Sequence, residues 1–140
     1  MGMVATEEPL FRQMSHRRPS DAFQKGYFDF CPRETWSPSV NLYETALAYV
    51  VCVDLAGVDK DKIDVVLVDH QRLQLRGQRE VPVPQHAGDS SAPRLKVHVM
   101  EIDHGAFCRD VELPRDVDKD RVVATHANGL LWIELPKKDP

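Results

Sequence analysis

From Trp36 onward, the sequence consists of short apolar runs with a two-residue period, each ended by turn residues. This pattern restricts the fold strongly, because it places one face of a strand in a core and the other in solvent. In the run 49–55 every odd position is apolar, at Tyr49, Val51, Val53 and Leu55. Seven or eight such runs in about 100 residues, without a long helical period, predict an all-β chain folded as an antiparallel β-sandwich.

Turn signals divide these runs into hairpins. The runs 63–67 and 73–75 are predicted to pair, and Gly77 follows at a position where a side chain would crowd the pleat. Asn128 and Gly129 join the last two runs. Asn-Gly between two strands is the strongest short hairpin signal.

A long loop lies in the middle of the pattern. Proline and glycine residues mark it over about 81–94, and residues 95–102 then alternate with apolar side chains on much of both faces. We expect a strand over 95–102. Loops as long as the one before it usually serve a function.

The first 35 residues have a different composition. They hold four of the five phenylalanines and no sustained helical period, although short helices around 8–16 and 20–28 are compatible with the sequence. Such a segment is too aromatic for a solvated linker and too short to bury its own rings. It either meets another molecule or folds back as a cap. The residues that would supply adaptable apolar contacts are Phe11, Met14, Phe23, Tyr27, Phe28 and Phe30.

Composition and charge point to protein partners. Hydrophobic residues make up 42% and charged residues 29% of the 140 positions, near the average for globular proteins. The net charge of −4 implies no basic face for nucleic acid. No apolar stretch is long enough for a membrane span, and no signal-peptide pattern opens the chain. We expect a cytoplasmic protein that binds neither nucleic acid nor a membrane.

The three cysteines are predicted to be ordinary free thiols. Cys31, Cys52 and Cys108 are odd in number, widely spaced and without a C-x-x-C pair. Neither a disulfide framework nor a zinc knuckle is indicated by this spacing.

No constellation for catalysis stands out. The sequence has no nucleotide-binding G-x-x-x-x-G-K-[ST], no H-E-x-x-H and no G-x-S-x-G. His98 and His104 flank Glu101 and Asp103, a grouping that could hold a metal but is more typical of solvated strand ends. We predict no enzyme activity, no metal and no cofactor.

Two segments resemble signatures of a known family. Residues 124–131 read A-T-H-A-N-G-L-L, and residues 101–114 read E-I-D-H-G-A-F-C-R-D-V-E-L-P. They are similar to the A-x-x-x-N-G-[VL]-L and E-x-x-x-G-x-F-x-R-x-F-x-L-P signatures of the small heat-shock protein family, with Val111 at the second aromatic position. Residues 54–58 and 73–79 resemble two shorter family segments, with Ala56 in place of the common proline. The motif residues are Gly105, Leu113, Pro114, Ala124, Asn128, Gly129 and Leu130.

The resemblance implies an immunoglobulin-like antiparallel β-sandwich, the α-crystallin domain, over residues 36–137. Residues 1–35 would form a flexible or partly helical arm, and residues 138–140 a truncated tail. The implied activity is that of an ATP-independent holdase, which binds partly unfolded proteins until ATP-dependent chaperones refold them. The arm would carry the client-binding side chains.

The resemblance also implies a dimer made by strand exchange. In bacterial and plant relatives the strand corresponding to 95–102 crosses to the partner and pairs with its first strand, here near residues 40–43. The alternative is an ordinary hairpin over 81–102 within one chain.

Arg109 shares a strand face with apolar residues and needs carbonyl or carboxylate partners. We expect Arg109 to have a structural role at the dimer contact; the alternative is that it is a plain surface charge. The predicted interface residues are Val40, Leu42, Tyr43, Val97, Val99, Glu101 and Arg109.

The C-terminal tail and a related domain bear on the expected assembly and function. Relatives usually carry an I-x-[IV] motif in the C-terminal tail, and residues 137–140 have none, so we expect a homodimer or modest oligomer rather than a large cage. The rival interpretation is a co-chaperone scaffold with the related CS-domain sandwich, which would bind a folded partner. CS-type domains typically lack the exchange strand, so residues 95–102 favour the first interpretation.

Overall fold

A computed structural model describes residues 31–84 and 95–139. Within them the chain forms seven strands and two short 3₁₀ helices. In chain order the elements are β1 (Val40–Glu44), β2 (Ala48–Asp54), a 3₁₀ helix (Lys60–Lys62), β3 (Ile63–Val68), β4 (Arg72–Arg79), β5 (Gly105–Glu112), a 3₁₀ helix (Lys119–Arg121), β6 (Val123–Ala127) and β7 (Leu130–Pro136). The predicted helices at 8–16 and 20–28 lie outside the described residues.

The strands form two antiparallel sheets, as the sequence predicts. One sheet has the order β1-β2-β7-β6 and the other the order β3-β4-β5. Alternate residues of both sheets meet in one apolar core. Tyr49, Val51, Val53 and Leu55 are all 0% exposed, which confirms the period read from β2.

Tight turns with positive φ values set the β3–β4 and β6–β7 hairpins. Asn128 and Gly129 have φ values of 55° and 78°, so both central residues occupy the left-handed region that a type I′ turn requires. The β3–β4 turn uses Asp69 and His70, at φ 55° and 60°. The Gly129 carbonyl also accepts a hydrogen bond at 2.9 Å from the amide of Leu55, the residue that follows β2.

The prediction of a strand over 95–102 is wrong for the single chain. Residues 95–104 belong to neither sheet, and all are exposed. A strand needs the hydrogen-bonding edge of a neighbour as well as an alternating pattern. The intramolecular hairpin over 81–102 is therefore not formed by those of its residues that the structure describes.

The prediction of three free thiols is wrong for two of the cysteines. Cys31 and Cys108 form a disulfide with their Cα atoms 5.4 Å apart, across 77 positions of sequence. Sequence spacing gives no sign of this pair, because only the fold of the chain around Trp36 brings Cys31 over β5. Cys52 is buried and free, and burial, with a smaller contribution from Asp54, raises the pKa of its thiol.

Candidate interaction surfaces

The exposed apolar side chains between β4 and β5 form the first candidate surface. Leu95, Val97, Val99, Met100 and Ile102 are between 49% and 73% exposed. Exposed apolar side chains grouped along one segment make it a candidate protein interaction surface.

Arg79, at the end of β4, fixes the C-terminal end of this segment. Its Nε and Nη2 donate to the Asp103 carbonyl at 2.9 and 2.6 Å, and its Nη1 donates to the Ala56 carbonyl at 3.1 Å. The guanidinium carbon lies 4.3 Å from the centroid of the Trp36 ring. Arg79 thus joins three separate stretches of chain at one corner of the sandwich.

The outer edge of β1 forms the second candidate surface. β1 pairs with β2 and, among residues 31–84 and 95–139, with no other strand. Leu42 is 40% exposed and Tyr43 48% exposed. The edge therefore offers free backbone N–H and C=O groups next to apolar side chains, which is the arrangement that strand addition uses.

The two ends of β1 are held by contacts with other elements. Lys137 donates to Glu44 at 2.6 Å, and its ammonium group lies 5.3 Å from the Tyr49 ring centroid. Before β1, the Pro38 carbonyl accepts a hydrogen bond from Arg109 Nη1 at 3.3 Å. Arg109 is half-buried and has the carbonyl partner that its position on β5 demands. Its place in a dimer contact stays a prediction.

The residues of the family-like motifs lie in strands, beside strands and in turns of the sandwich. Gly105 begins β5 at φ 86°, Leu113 is fully buried after that strand, and Ala124 is 1% exposed. Pro114 follows the end of β5, and Leu130 begins β7 half-buried. These residues shape the sandwich and carry no reactive group.

The outer face of the β3-β4-β5 sheet carries a half-buried polar group. Asp110 Oδ2 accepts a hydrogen bond from Arg72 Nη1 at 3.0 Å, while its Oδ1 is buried without a hydrogen-bond partner in the described part of the chain. Burial raises the pKa of Asp110, although Arg72 opposes this effect. Its cross-strand neighbour Gln74 is 5% exposed.

Some residues and groupings singled out in the sequence do not form a site in the part of the chain that the structure describes. The client-binding candidates Phe11, Met14, Phe23, Tyr27, Phe28 and Phe30 lie outside the described residues. Over residues 31–84 and 95–139, no three His, Cys, Asp or Glu side chains converge as a metal would need, including the grouping around His98. The helices of the described ranges are too short or too polar to cross a membrane.

Sequence reasoning missed two features near β5. One is the Cys31–Cys108 disulfide, and the other is the stacking of Arg79 on Trp36. The stacking had a signal in the sequence, because Trp36 is an isolated aromatic residue and Arg79 ends a family-like segment. The disulfide had no signal beyond the presence of the two cysteines.

Comparisons with known proteins agree with this architecture. The Hsp20/alpha crystallin family profile matches residues 41–140. The small heat shock protein C2 of Rickettsia felis is 30% identical over 102 residues, which cover 73% of this chain and 61% of that protein. The chain thus spans about three fifths of the length of that curated relative.

Solved structures of similar proteins share the fold. Heat shock protein 16.0 of Schizosaccharomyces pombe superposes with a TM-score of 0.61 at 30% identity, covering 74% of this chain and 88% of that one. A small heat-shock protein of Xylella fastidiosa, described as having a distinct high order structure, gives 0.60 at 26% identity, covering 76% and 90%. The fold is that of an α-crystallin domain. This chain belongs to the Hsp20/alpha crystallin family, the small heat shock proteins.

Proposed function

We propose that this protein is an ATP-independent holdase that works as a homodimer or larger homo-oligomer in the cytoplasm. It binds partly unfolded proteins and prevents their aggregation until ATP-dependent chaperones act. Membership of a chaperone family supports this role, as does a sequence without nucleotide or catalytic motifs. The observation that carries the proposal is that two elements of the described chain lack a sheet partner: residues 95–102, which join neither sheet, and the outer edge of β1.

The two elements complement each other between copies. In the part of the chain that the structure describes, residues 95–102 are largely apolar and join no sheet, and the outer edge of β1 has no neighbouring strand. If the segment of one protomer adds to β1 of its partner, both satisfy their backbone groups and remove an aggregation-prone edge. By two-fold symmetry the contact forms twice, which closes a dimer.

Client binding is assigned to residues 1–35. Phe11, Phe23 and Phe28 are among its aromatic residues. Each ring contributes about 1.5–3 kcal/mol when fully buried against a client. Several separate rings suit clients of varied sequence, because no single geometry is required.

The dimer is tested by placing charge on the exchange segment. We expect the double variant Val97→Asp with Val99→Asp to be monomeric, because strand addition would bury two carboxylates in an apolar contact. Light scattering coupled to size separation measures the mass. Leu47→Asp is the matched control, since Leu47 is 80% exposed in the β1–β2 turn and should leave the dimer intact. A double variant that remains dimeric at micromolar concentration would contradict the exchange.

The holdase activity is tested with a heat-denatured model protein in the absence of ATP. Light scattering by the aggregating substrate should fall as the ratio of this protein to substrate rises. Replacing Phe11, Phe23 and Phe28 together by alanine should weaken the suppression while the dimer persists. A wild-type protein that forms dimers but gives no suppression at any ratio would favour the scaffold function instead.

A further inference from the structure

The chain between Cys31 and Trp36 forms a short clip against β5. The Thr35 amide and hydroxyl both donate to the Pro32 carbonyl, at 3.2 and 2.6 Å, and close a turn. At one end of the clip Cys31 is bonded to Cys108. At the other end, the Trp36 amide donates to the Ala106 carbonyl at 3.1 Å, and its carbonyl accepts from the Cys108 amide at 3.0 Å.

The two ends of the clip are anchored independently. Trp36 packs on Phe107 with ring centroids 5.4 Å apart, and its Nε1 donates to the Gly105 carbonyl at 3.2 Å. None of these contacts involves Sγ of either cysteine. Opening the disulfide therefore leaves Trp36 in place and detaches only the chain before it.

Cys108 is placed so that the core does not depend on the disulfide. Phe107 points into the core, and Cys108, as the next residue of β5, points to the outer face of the sheet. Its Cα partner on β4 is Arg76, so a cationic residue shares that face of the sheet with Cys108. A nearby cation favours a thiolate.

The two cysteine residues differ in exposure. Cys31 is half-buried, whereas Cys108 is 2% exposed. We therefore expect an attacking thiolate to reach Cys31, so that the electron pair of the broken S–S bond departs on Cys108 Sγ.

We propose that the Cys31–Cys108 disulfide is a tether, opened by a cellular dithiol, that sets where the N-terminal segment leaves the sandwich. With the tether closed, the segment leaves at the outer face of the β3-β4-β5 sheet. With it open, the segment leaves at the β5 edge beside Trp36 and gains residues 31–35 as slack. Five residues extend the reach by up to about 17 Å.

The exchange balances without any further reactant. The first thiolate of the dithiol forms a mixed disulfide with Cys31 and releases Cys108, which takes up a proton. The second thiol of the reductant then attacks its own mixed-disulfide sulfur and releases Cys31. Two electrons and two protons pass from the dithiol to the cysteines, and the reductant leaves as a cyclic disulfide.

The regulatory part rests on the proposed function, because it assumes that residues 1–30 bind clients. When the disulfide opens, residues 31–35 no longer lie on the outer face of the β3-β4-β5 sheet and lengthen the connection to the N-terminal segment. More of its aromatic side chains can then reach a client. We therefore expect the reduced protein to protect severalfold more client than the oxidised protein.

The tether is tested on the full chain with and without dithiothreitol. Alkylation under denaturing conditions should count one thiol in the oxidised protein, Cys52, and three in the reduced protein, since the chain has three cysteines. Trypsin should cut after Arg33, an exposed residue of the clip, severalfold faster after reduction. In the rate of this cut, Cys31→Ser should match the reduced protein with or without the reductant, and Cys52→Ser should respond to the reductant as the wild type does.

The outcomes separate the tether from the chaperone role. Three reactive thiols before reduction, or an unchanged cutting rate after Arg33, would overturn the tether. Aggregation of a cysteine-free client is then followed with both forms. A faster cut with equal protection by both forms would overturn the regulatory role. A faster cut without protection by either form would leave the tether standing and refute the holdase function.

Discussion

Gly77 illustrates at the residue scale why one position of a strand must lack a side chain. A Cβ built there would overlap both the Phe107 ring and the Lys62 carbonyl oxygen. Phe107 is the direct cross-strand partner of Gly77 and is 1% exposed. The space that a side chain would need at position 77 is therefore occupied by the Phe107 ring, against which Trp36 also packs.

We expect Gly77→Ala to lower the free energy of unfolding by about 1–3 kcal/mol, because the ring or the backbone must shift to make room. Urea unfolding followed by circular dichroism measures the change. Gln78→Ala, at the exposed neighbouring position, should change stability by less than about 0.5 kcal/mol. Equal midpoints for the two variants would show that the space around Gly77 relaxes freely.

Residue identities predicted some features of the fold and not others. Asn128-Gly129 specified a hairpin because the required positive φ values are a local property of those residues. Gly77 was similarly readable from its place in an alternating run. The disulfide was not, because the pairing of Cys31 with Cys108 depends on a tertiary contact made by Trp36.

At the scale of elements, the same alternating pattern had two different outcomes. Residues 49–54 lie in β2, which β1 and β7 flank on both sides. Residues 95–102 also alternate, with apolar side chains on much of both faces, but pair with no strand of the described residues. Sequence periodicity specifies which face a strand would bury, and the availability of an edge is decided by the whole assembly.

Arg79 is the element-scale link between the exposed segment and the sandwich. We expect Arg79→Met to destabilise the fold by about 1–2 kcal/mol, since it removes hydrogen bonds to the Asp103 and Ala56 carbonyls and the cation–π contact with Trp36. Without Arg79, the end of the segment at Asp103 would be held less firmly at the corner of the sandwich. The dissociation constant of the proposed dimer should therefore rise severalfold.

Urea unfolding and sedimentation equilibrium measure the two effects. Arg72→Met is the matched control, because Arg72 pairs with Asp110 and Glu112 on the outer sheet face. It should leave the dissociation constant unchanged. An Arg79→Met protein with wild-type dimer affinity would show that the anchor does not influence exchange.

At the scale of the whole molecule, the disulfide closes a loop across 77 positions that includes β1 to β4 and part of β5. Cross-links of this kind typically stabilise a fold by about 2–4 kcal/mol, chiefly by restricting the unfolded chain. We expect Cys31→Ser to lose a similar amount in urea unfolding under oxidising conditions. Cys52→Ser serves as control, and identical midpoints for wild type and Cys31→Ser would contradict the expectation.

A loss of this size is compatible with a folded reduced state. Single domains have about 5–15 kcal/mol of stability, and the Trp36 anchor and apolar core are independent of the sulfur atoms. The sandwich itself was predictable from the sequence because its core pattern is spread over every strand. The expected homodimer or modest oligomer stays a prediction, because its contacts would lie between molecules.

The covalent ring has one more consequence for a protein exposed to heat. Both β1 and residues 95–104 lie between Cys31 and Cys108, so they belong to the same macrocycle. When the sheets melt, an oxidised molecule keeps these two elements of its own chain within a bounded distance of each other, since ring closure limits how far they can separate. Recovery on cooling then begins from a smaller conformational search than an open chain would face.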